Sequence, residues 1–159
     1  MVQYLNDIFS LYFHDPYNMD WSEQSYKFIS TISSVEDFVN IFIAFRDQWS
    51  KGMFFIIREY IMPRWEDEHN KNGGCFSYKI MKPELDEKLF KICGSLLGET
   101  LGANDVVSQN INGISISPKK NYYIIRIWLK DSKHANKELY NIDIPKYSTL
   151  MYKNHSDSN

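Results

Sequence analysis

Residues 122–130, near the end of the chain, alternate between two sets of side chains, and this pattern limits the folds that the sequence can adopt. In an extended strand its odd-numbered side chains share one face, and all of them are apolar: Tyr123, Ile125, Ile127 and Leu129. The other face mixes aromatic, aliphatic and cationic side chains: Tyr122, Ile124, Arg126, Trp128 and Lys130. The sequence therefore predicts a sheet that packs one face on a core. A turn at residues 118–121 joins this strand to another predicted over residues 105–117.

Two amphipathic helices are predicted to cover that core. Ser33 as N-cap, with Glu36 three residues later, predicts the start of the first. Its apolar stripe consists of Phe38, Ile41, Phe42, Phe45 and Trp49. The second follows Pro83, ends at Gly98 and carries a stripe of Leu85, Leu89, Ile92, Cys93, Leu96 and Leu97.

The order of the remaining elements indicates the fold class. Further strands are predicted at residues 8–13, 52–60, 75–81 and 149–152, and a short helix at 136–141. Strands mixed with helices, without a regular βαβ alternation, favour an α+β fold with helices on one face of an antiparallel sheet. We expect a single domain over residues 1–153 and a flexible C-terminal tail at 154–159.

Composition narrows the functional classes. A formal net charge of -2 and a pI near 6.1 argue against a protein that tracks long nucleic acid through a basic face, but leave a site for one nucleotide open. The two cysteines have no zinc or disulfide spacing, and no stretch approaches the roughly 20 apolar residues of a membrane span. We expect a cytoplasmic protein with no metal, no cofactor and no membrane partner.

Three tryptophans lie outside the predicted core. Trp65 is flanked by charges, Trp21 follows a polar turn, and Trp128 lies on the mixed face of its strand. They indicate either a shared aromatic ligand site or three independently packed residues. The neighbouring acids Glu66, Asp67 and Glu68 form either a solvated loop or, in an enzyme acting on nucleotides, a cation site.

The chain resembles the eukaryotic translation initiation factor 4E family, the messenger RNA cap-binding proteins. The resemblance covers nearly the whole chain. Its specific part is residues 65–74 (WEDEHNKNGG), which depart from the family pattern chiefly at His69 and Asn72. Weaker matches occur in the same order at residues 35–38 (VEDF), 96–99 (LLGE), 105–106 (DV) and 127–128 (IW).

This resemblance implies a curved antiparallel sheet with about three helices on its convex face and a cap slot on its concave face. Trp21 and Trp65 match the two residues that sandwich the 7-methylguanine base. Glu66 matches the acid that reads the base edge, and Trp128 matches the residue beside the methyl group. The resemblance also implies that the protein is not an enzyme and has no catalytic residues.

Two surfaces depart from the family pattern. Residues 111–117 contain no basic side chain where the family has the arginine and lysine residues that hold the phosphates of the cap, and Cys75 stands where an arginine is common. We therefore expect Lys119, Lys120 and Arg126 to replace the missing phosphate contacts; the alternative is a solvated basic turn. On the convex face, Val39 replaces a tryptophan that receives a scaffold or repressor helix.

The expected partner surface consists of Val35, Val39, Ile43 and Phe90. It predicts a scaffold protein of the initiation complex or a divergent equivalent, alongside capped messenger RNA. Two alternatives stay open: a cap-binding repressor that recruits no scaffold, and an interaction module that has lost cap binding. The Asn-, Ile-, Lys- and Tyr-rich composition suggests an AT-rich genome, such as that of a parasite or a large DNA virus.

Overall fold

The computed structural model describes residues 1–158, in which seven strands form one antiparallel sheet with the order β2-β1-β3-β5-β6-β4-β7. The strands are β1 (Tyr4–His14), β2 (Lys27–Ser34), β3 (Met53–Arg58), β4 (Gly74–Met81), β5 (Ile111–Pro118), β6 (Tyr122–Leu129) and β7 (Met151–Asn154). The α-helices are α1 (Val35–Ala44), α2 (Leu85–Leu97) and α3 (Asp105–Gln109). None of these described helices is both long and apolar enough to cross a membrane. The α+β prediction is confirmed.

The sheet packs differently on its two faces. One face of β6 joins the main core together with apolar side chains of α1 and α2. The four residues on this face are at most 4% exposed: Tyr123, Ile125, Ile127 and Leu129. On the opposite, concave face, Phe55, Cys75 and Trp128 form a smaller cluster that Trp65 partly covers. The two-faced strand inferred from residues 122–130 is therefore confirmed.

The first helix begins one residue later than the sequence predicts. Ser34, not Ser33, is the N-cap, and its Oγ accepts a hydrogen bond from the amide of Asp37 at 3.0 Å. The carboxylate of Asp37 reaches back to the amide and hydroxyl of Ser33 at 2.9 and 3.0 Å. Asp37 thus takes the role assigned to Glu36, and the capping is shifted by one position. Its carboxylate accepts from Ser33, the residue before the N-cap, and not from the N-cap amide as in the expected capping box.

The end of the first helix also differs from the prediction. The helix stops at Ala44, so Trp49 lies in the turn that follows it. Trp49 is only 2% exposed, and its Nε1 donates to the carbonyl of Phe42 at 3.1 Å. The indole thus covers the last helical turn from outside the helix. In α2, all of the predicted stripe is buried and Gly98 is the C-cap, as expected.

The strand predicted over residues 105–117 is wrong in its first part. Asp105–Gln109 is the short helix α3, whose N-cap Asn104 accepts a hydrogen bond from the amide of Val107 at 3.0 Å. The strand β5 begins only at Ile111. A side-chain cap and an acid in the first turn outweigh the strand propensity of the two valines.

Secondary structure continues into residues 154–158, which form part of the predicted flexible tail. Asn154 ends β7, and His155, only 7% exposed, donates its amide to the carbonyl of Gly73 at 3.1 Å. Sheet pairing and packing thus continue past the expected boundary at residue 153 as far as His155; Asn159 lies outside the described residues. The short helix expected at 136–141 is a 3₁₀ turn, Lys137–Leu139.

Candidate functional site

A cavity of about 510 Å³ lies on the concave face of the sheet. Its floor comes from successive strands in register: Phe55 pairs with Ser115, Ser115 with Arg126, and Arg126 with Ser77. In the neighbouring row, Trp128 pairs with Cys75 and Cys75 with Lys153. Side chains at these positions share the face opposite the main core. The sheet therefore supplies an aromatic and cationic floor.

One wall of the cavity is the loop that carries Trp21. The indole of Trp21 stacks on the imidazole of His14, with ring centroids 3.9 Å apart and an interplanar angle of 4°. The ring nitrogens of His14 lie 2.8 Å from the carbonyl oxygens of Asp15 and Asp20. Trp21 is still 43% exposed. A buried histidine thus supports one face of the indole within a loop that its own hydrogen bonds hold together.

The opposite wall is the loop that carries Trp65 and Glu66. Asp67 accepts hydrogen bonds from the amides of Met62 and His69 at 2.9 and 2.8 Å. Burial opposes ionisation of Asp67, but these hydrogen bonds outweigh it and hold its pKa below the ordinary value. The oxygens of Asp67 therefore organise the loop.

Two asparagines attach the same loop to the sheet. Asn70, which is fully buried, donates to the carbonyls of Met62 and Arg64 at 3.1 and 2.9 Å. Asn112 on β5 donates to the side-chain oxygen of Asn70 and to the carbonyl of His69, both at 2.8 Å. This network fixes the position of Trp65 relative to the cavity floor.

Arg64 links the two walls. Its Nη2 donates to the carboxylate of Glu66 at 3.0 Å, and its Nε donates to the backbone carbonyl of Trp21 at 3.1 Å. A longer ion pair of 3.7 Å joins Arg64 to Glu23. The carboxylate of Glu66, 42% exposed, thus has one cationic neighbour and remains open to further donors.

Three cationic side chains line the cavity: Arg64, Arg126 and Lys153. Arg126 also donates to the hydroxyl of Ser117 at 3.3 Å. Burial raises the pKa of Cys75 to about 12, so its thiol is neutral at physiological pH and contributes no charge. Of the three cations, sequence reasoning had assigned only Arg126 to this site.

The predicted pair Lys119 and Lys120 lies elsewhere. Both side chains are exposed at the tip of the β5–β6 hairpin, and neither belongs to the cavity lining that the described residues form. Arg126 alone of the three predicted phosphate contacts is brought to the cavity. Lys153 could not be found from the sequence, because only the pairing of β7 with β4 places it beside Cys75.

His155 was also missed. Its ring centroid lies 5.3 Å from that of Trp128, and its Nε2 is buried without a hydrogen-bond partner among the described residues. Burial lowers the pKa of His155, against an opposing effect of Glu66. Trp128 is held on its other side by a hydrogen bond from its Nε1 to Ser115 at 3.0 Å. A neutral imidazole therefore backs the indole.

The structure thus brings Trp21, Trp65, Glu66, Trp128 and Arg126 to one cavity. The three tryptophans line the same cavity, as a shared aromatic ligand site requires. Among residues 1–158, no group of three or more His, Cys, Asp or Glu side chains is arranged to hold a metal ion.

The predicted partner surface lies on the helical side of the molecule. Val35, Val39 and Ile43 follow one another at four-residue intervals along α1, and the first and last are 40% and 57% exposed. Phe90 of α2 stacks on Phe38 with centroids 5.2 Å apart. The convex side therefore presents apolar side chains from both helices.

Comparison with known proteins identifies relatives. Across 155 aligned residues the chain is 29% identical to eukaryotic translation initiation factor 4E-1 of Schizosaccharomyces pombe, which covers 88% of this chain and 68% of the relative. It is 27% identical to the factor 4E of Eremothecium gossypii over 82% of this chain and 64% of that one. The chain therefore spans about two thirds of the length of these relatives.

Solved structures share the fold. A complex of C. elegans eIF4E-3 with the 4E-binding protein Mextli and cap analog superimposes with a TM-score of 0.85 and 21% identity, covering 99% of this chain and 95% of that one. Ascaris suum eIF4E-3 with m2,2,7G cap gives 0.82 and 21%, covering 98% and 92%. The family described as eukaryotic initiation factor 4E matches residues 4–159. Because that match takes in almost the entire sequence, the chain belongs to the eukaryotic initiation factor 4E family.

Proposed function

We propose that this protein binds the 7-methylguanosine cap of messenger RNA in its concave cavity, as a non-enzymatic cytoplasmic factor of translation initiation. The observation that carries the proposal is the convergence of Trp21, Trp65, Glu66 and Trp128 on one cavity of about 510 Å³. Relatives named as initiation factors and a fold neighbour solved with a cap analog support the same function.

The two walls suit a cationic aromatic base. Methylation at the guanine seven position gives the ring a positive charge, so indoles on both of its faces contribute stacking and cation–π energy, each of order 1–3 kcal/mol. Trp21, supported from behind by His14, forms one side of this sandwich, and Trp65, held by its loop network, forms the other. Trp128 packs beside the methyl group.

Glu66 reads the edge of the base. Its carboxylate accepts two hydrogen bonds from the Watson–Crick edge while it neutralises the charge of the methylated ring. In the free protein Arg64 donates to that carboxylate at 3.0 Å. The entering base competes with this contact, and a neutral, unmethylated guanine competes less well because it offers no positive charge.

The phosphates of the cap lie against the cationic floor. Arg126 and Lys153 flank Ser77 and Cys75 on neighbouring strands. Their two charges take the place of the arginine that the family commonly carries where this chain has the neutral Cys75. Lys119 and Lys120 lie at the tip of the β5–β6 hairpin and contact the part of the ligand that extends beyond the cavity floor.

Tryptophan fluorescence tests the proposal. Titration with 7-methylguanosine triphosphate is expected to quench wild-type fluorescence strongly, and plain guanosine triphosphate only weakly. Glu66→Gln removes a charge-assisted contact and should lower affinity for the methylated ligand by about 10- to 100-fold. Glu68→Gln, a change of the same kind on an exposed side chain of the same loop, is the matched control and should bind normally. Equal or negligible quenching by both nucleotides would favour an interaction module without cap binding.

The convex face is proposed to dock a helix. Val35, Val39, Ile43 and Phe90 offer apolar surface for the apolar stripe of a scaffold or repressor helix. The 4E-binding protein in the neighbouring C. elegans complex supports a partner of this class. A second candidate, a repressor that holds the cap without a scaffold, is favoured by Val39, because valine provides much less contact area than the tryptophan usual at that position.

A further inference from the structure

His14, which lies behind Trp21, has hydrogen-bond partners that can only accept. It is the last residue of β1, pairs with Met53 of β3 and is fully buried. Its Nδ1 lies 2.8 Å from the carbonyl oxygen of Asp15, and its Nε2 lies 2.8 Å from the carbonyl oxygen of Asp20. A carbonyl oxygen has no proton to donate, so each contact is a hydrogen bond only if the ring nitrogen is protonated. Both contacts together require the imidazolium form.

Ser25 does not supply the proton that a neutral ring would need. Its Oγ lies 3.1 Å from the Nε2 of His14, and a hydroxyl is able to donate to an unprotonated ring nitrogen. The hydroxyl proton is already used, however, because the Oγ of Ser25 donates to the carbonyl of Ser22 at 2.6 Å. The oxygen of Ser25 is therefore a second acceptor for Nε2. In a neutral imidazole, the nitrogen without a proton would point its lone pair at a carbonyl oxygen.

The charges around His14 favour the imidazolium. The carboxylate of Asp20 stays ionised, because hydrogen bonds from Ser22 and a smaller attraction to His14 hold its pKa below the ordinary value. Tyr26, whose ring centroid lies 4.9 Å from that of His14, is uncharged because burial raises its pKa to about 12. Met53 on the neighbouring strand carries no charge. One carboxylate and two carbonyl oxygens therefore offset the cost of burying the charged ring.

Other charged groups of the two cavity walls have partners of their own. The carboxylate of Asp15 accepts a hydrogen bond from the amide of Tyr17 at 2.9 Å. Arg64 pairs with Glu66 at 3.0 Å and with Glu23 at 3.7 Å. Imidazole is the side chain whose charge ordinarily changes between about pH 5 and 8, whereas carboxylates and guanidinium groups ordinarily keep theirs. A change of pH in this range therefore acts on the Trp21 wall through His14.

The charge state of His14 reaches Trp21 by two routes. The imidazole lies flat against the indole, with ring centroids 3.9 Å apart and an interplanar angle of 4°. The two ring nitrogens also hold both ends of the loop at residues 15–20, whose last residue directly precedes Trp21. Loss of one proton replaces one of these hydrogen bonds with a contact between two lone pairs, which frees one end of the loop. The indole then loses its fixed position.

We propose that His14 is a positioning residue that fixes Trp21 only as an imidazolium, so that the cavity binds its ligand together with a proton. The proposal rests on the proposed function, because Trp21 forms one side of the base sandwich there. An ordered wall favours a methylated and an unmethylated base alike. The charge of His14 acts against the methylated base alone, since it repels a cationic ring. The two carbonyl oxygens, 2.8 Å from the imidazolium, reduce that repulsion, so we expect the effect of order to dominate.

Calorimetric titration tests this coupling. The wild type and His14→Phe are titrated with 7-methylguanosine triphosphate and with guanosine triphosphate between about pH 5.5 and 8.5. Phenylalanine keeps a ring behind the indole and removes both nitrogen donors. The wild type should bind both nucleotides about 5- to 10-fold more tightly than the variant at the acid end, and this advantage should shrink as the pH rises. In buffers of different ionisation enthalpy, the wild type should take up more protons per bound ligand than the variant.

Comparison of the two proteins at each pH cancels the titration of the nucleotide and of His155. His134→Gln changes a histidine outside the cavity lining that the described residues form, and this matched control should follow the wild type at every pH. An equal pH dependence in the wild type and in His14→Phe would contradict the proposal. So would binding of the methylated nucleotide that strengthens, relative to the variant, as the pH rises.

Nitrogen-15 NMR of the free wild type measures the protonation of His14 without a ligand, and it serves equally if His14→Phe does not fold. Both ring nitrogens should carry protons at about pH 6, and the hydrogen-exchange protection factors of the loop at residues 15–20 should fall as the pH rises. A single protonated nitrogen at that pH overturns the proposal. If both nitrogens are protonated and loop protection falls with rising pH, but no nucleotide binds at any pH, the cap-binding proposal fails and the positioning role of His14 stands.

Discussion

His155 combines burial, contact with an indole and an unpaired ring nitrogen. Burial holds its folded-state pKa below the ordinary value of 6.5, so between 6.5 and the lower folded pKa the unfolded chain binds more protons. The resulting loss of stability is absent above pH 6.5 and grows as the pH falls through that window. Urea unfolding across this range should therefore show a falling free energy of unfolding for the wild type and a smaller fall for His155→Gln.

His134→Gln provides the matched control for this pH series. His134 is partly exposed, and the hydrogen bond it accepts, from the hydroxyl of Tyr140, goes to its backbone carbonyl. The substitution should leave the pH dependence of the wild type intact. Identical slopes for the wild type and His155→Gln would show that burial of this imidazole does not couple folding to protons. The lowered pKa of Asp67 acts in a more acidic range, so it does not obscure the result.

A buried ion network joins β1, β3 and the turn after α2. Arg58, only 1% exposed, pairs with Glu99 at 2.7 Å and with Asp7 at 2.8 Å, and its Nε donates to the carbonyl of Ile111 at 2.9 Å. Glu99→Ala should cost about 3–5 kcal/mol of unfolding free energy, because it leaves most of a buried guanidinium charge uncompensated. The backbone φ of Glu99 is 58°, in the left-handed region, and alanine is strained there just as glutamate is. The substitution therefore gains no stability from the backbone.

Asp7→Ala supplies the comparison for that prediction. The side chain of Asp7 is 35% exposed, against 8% for Glu99, so solvent screens its pair with Arg58 more strongly. Its removal should cost clearly less, and urea denaturation of both variants measures the difference. Equal losses, or a loss below about 1 kcal/mol for Glu99→Ala, would contradict the assignment of Glu99 as the main counter-charge.

Helices and strands could be predicted from the sequence where a local pattern of residues determines them. The alternation in β6 gave both faces of the sheet, and the stripe and final glycine of α2 gave that helix. The errors arise where two local signals compete, as in α3, where Asn104 caps a segment with strand-forming valines. Lys153 depends on strand pairing between residues far apart in the chain, and no periodicity within β7 encodes its neighbour Cys75.

The resemblance to a family supplied what local patterns could not. It placed Trp21, Trp65 and Glu66 in one site although two strands and a helix separate Trp21 from the other two in the chain. It gave no guidance where this chain departs from the family, and there the structure places Lys119 and Lys120 outside the cavity lining that the described residues form. The other two cations that line the cavity, Arg64 and Lys153, could be identified only from the structure, Arg64 from the loop geometry and Lys153 from the strand register.

At the scale of the whole molecule, the two proposed binding surfaces lie on opposite sides of the sheet, with the main core between the convex helices and the concave cavity. We therefore expect them to be separable by substitution. Val39→Asp places a charge in the convex apolar surface and should weaken binding of a scaffold helix with an apolar stripe at least about tenfold, without changing affinity for 7-methylguanosine triphosphate. Glu66→Gln should have the opposite pattern.

Asn40→Asp controls for charge in that experiment, because it adds an acid at an exposed neighbouring position on α1. Both ligands are titrated against each variant, the helix by calorimetry and the nucleotide by fluorescence. Loss of nucleotide binding in Val39→Asp would mean that the surfaces are coupled through the core and would contradict their independence. If the wild type binds the nucleotide but no scaffold helix, the convex face has lost the docking role and the repressor candidate gains support. Normal helix binding by the wild type and selective loss in Val39→Asp would instead show that valine suffices where the family commonly uses tryptophan.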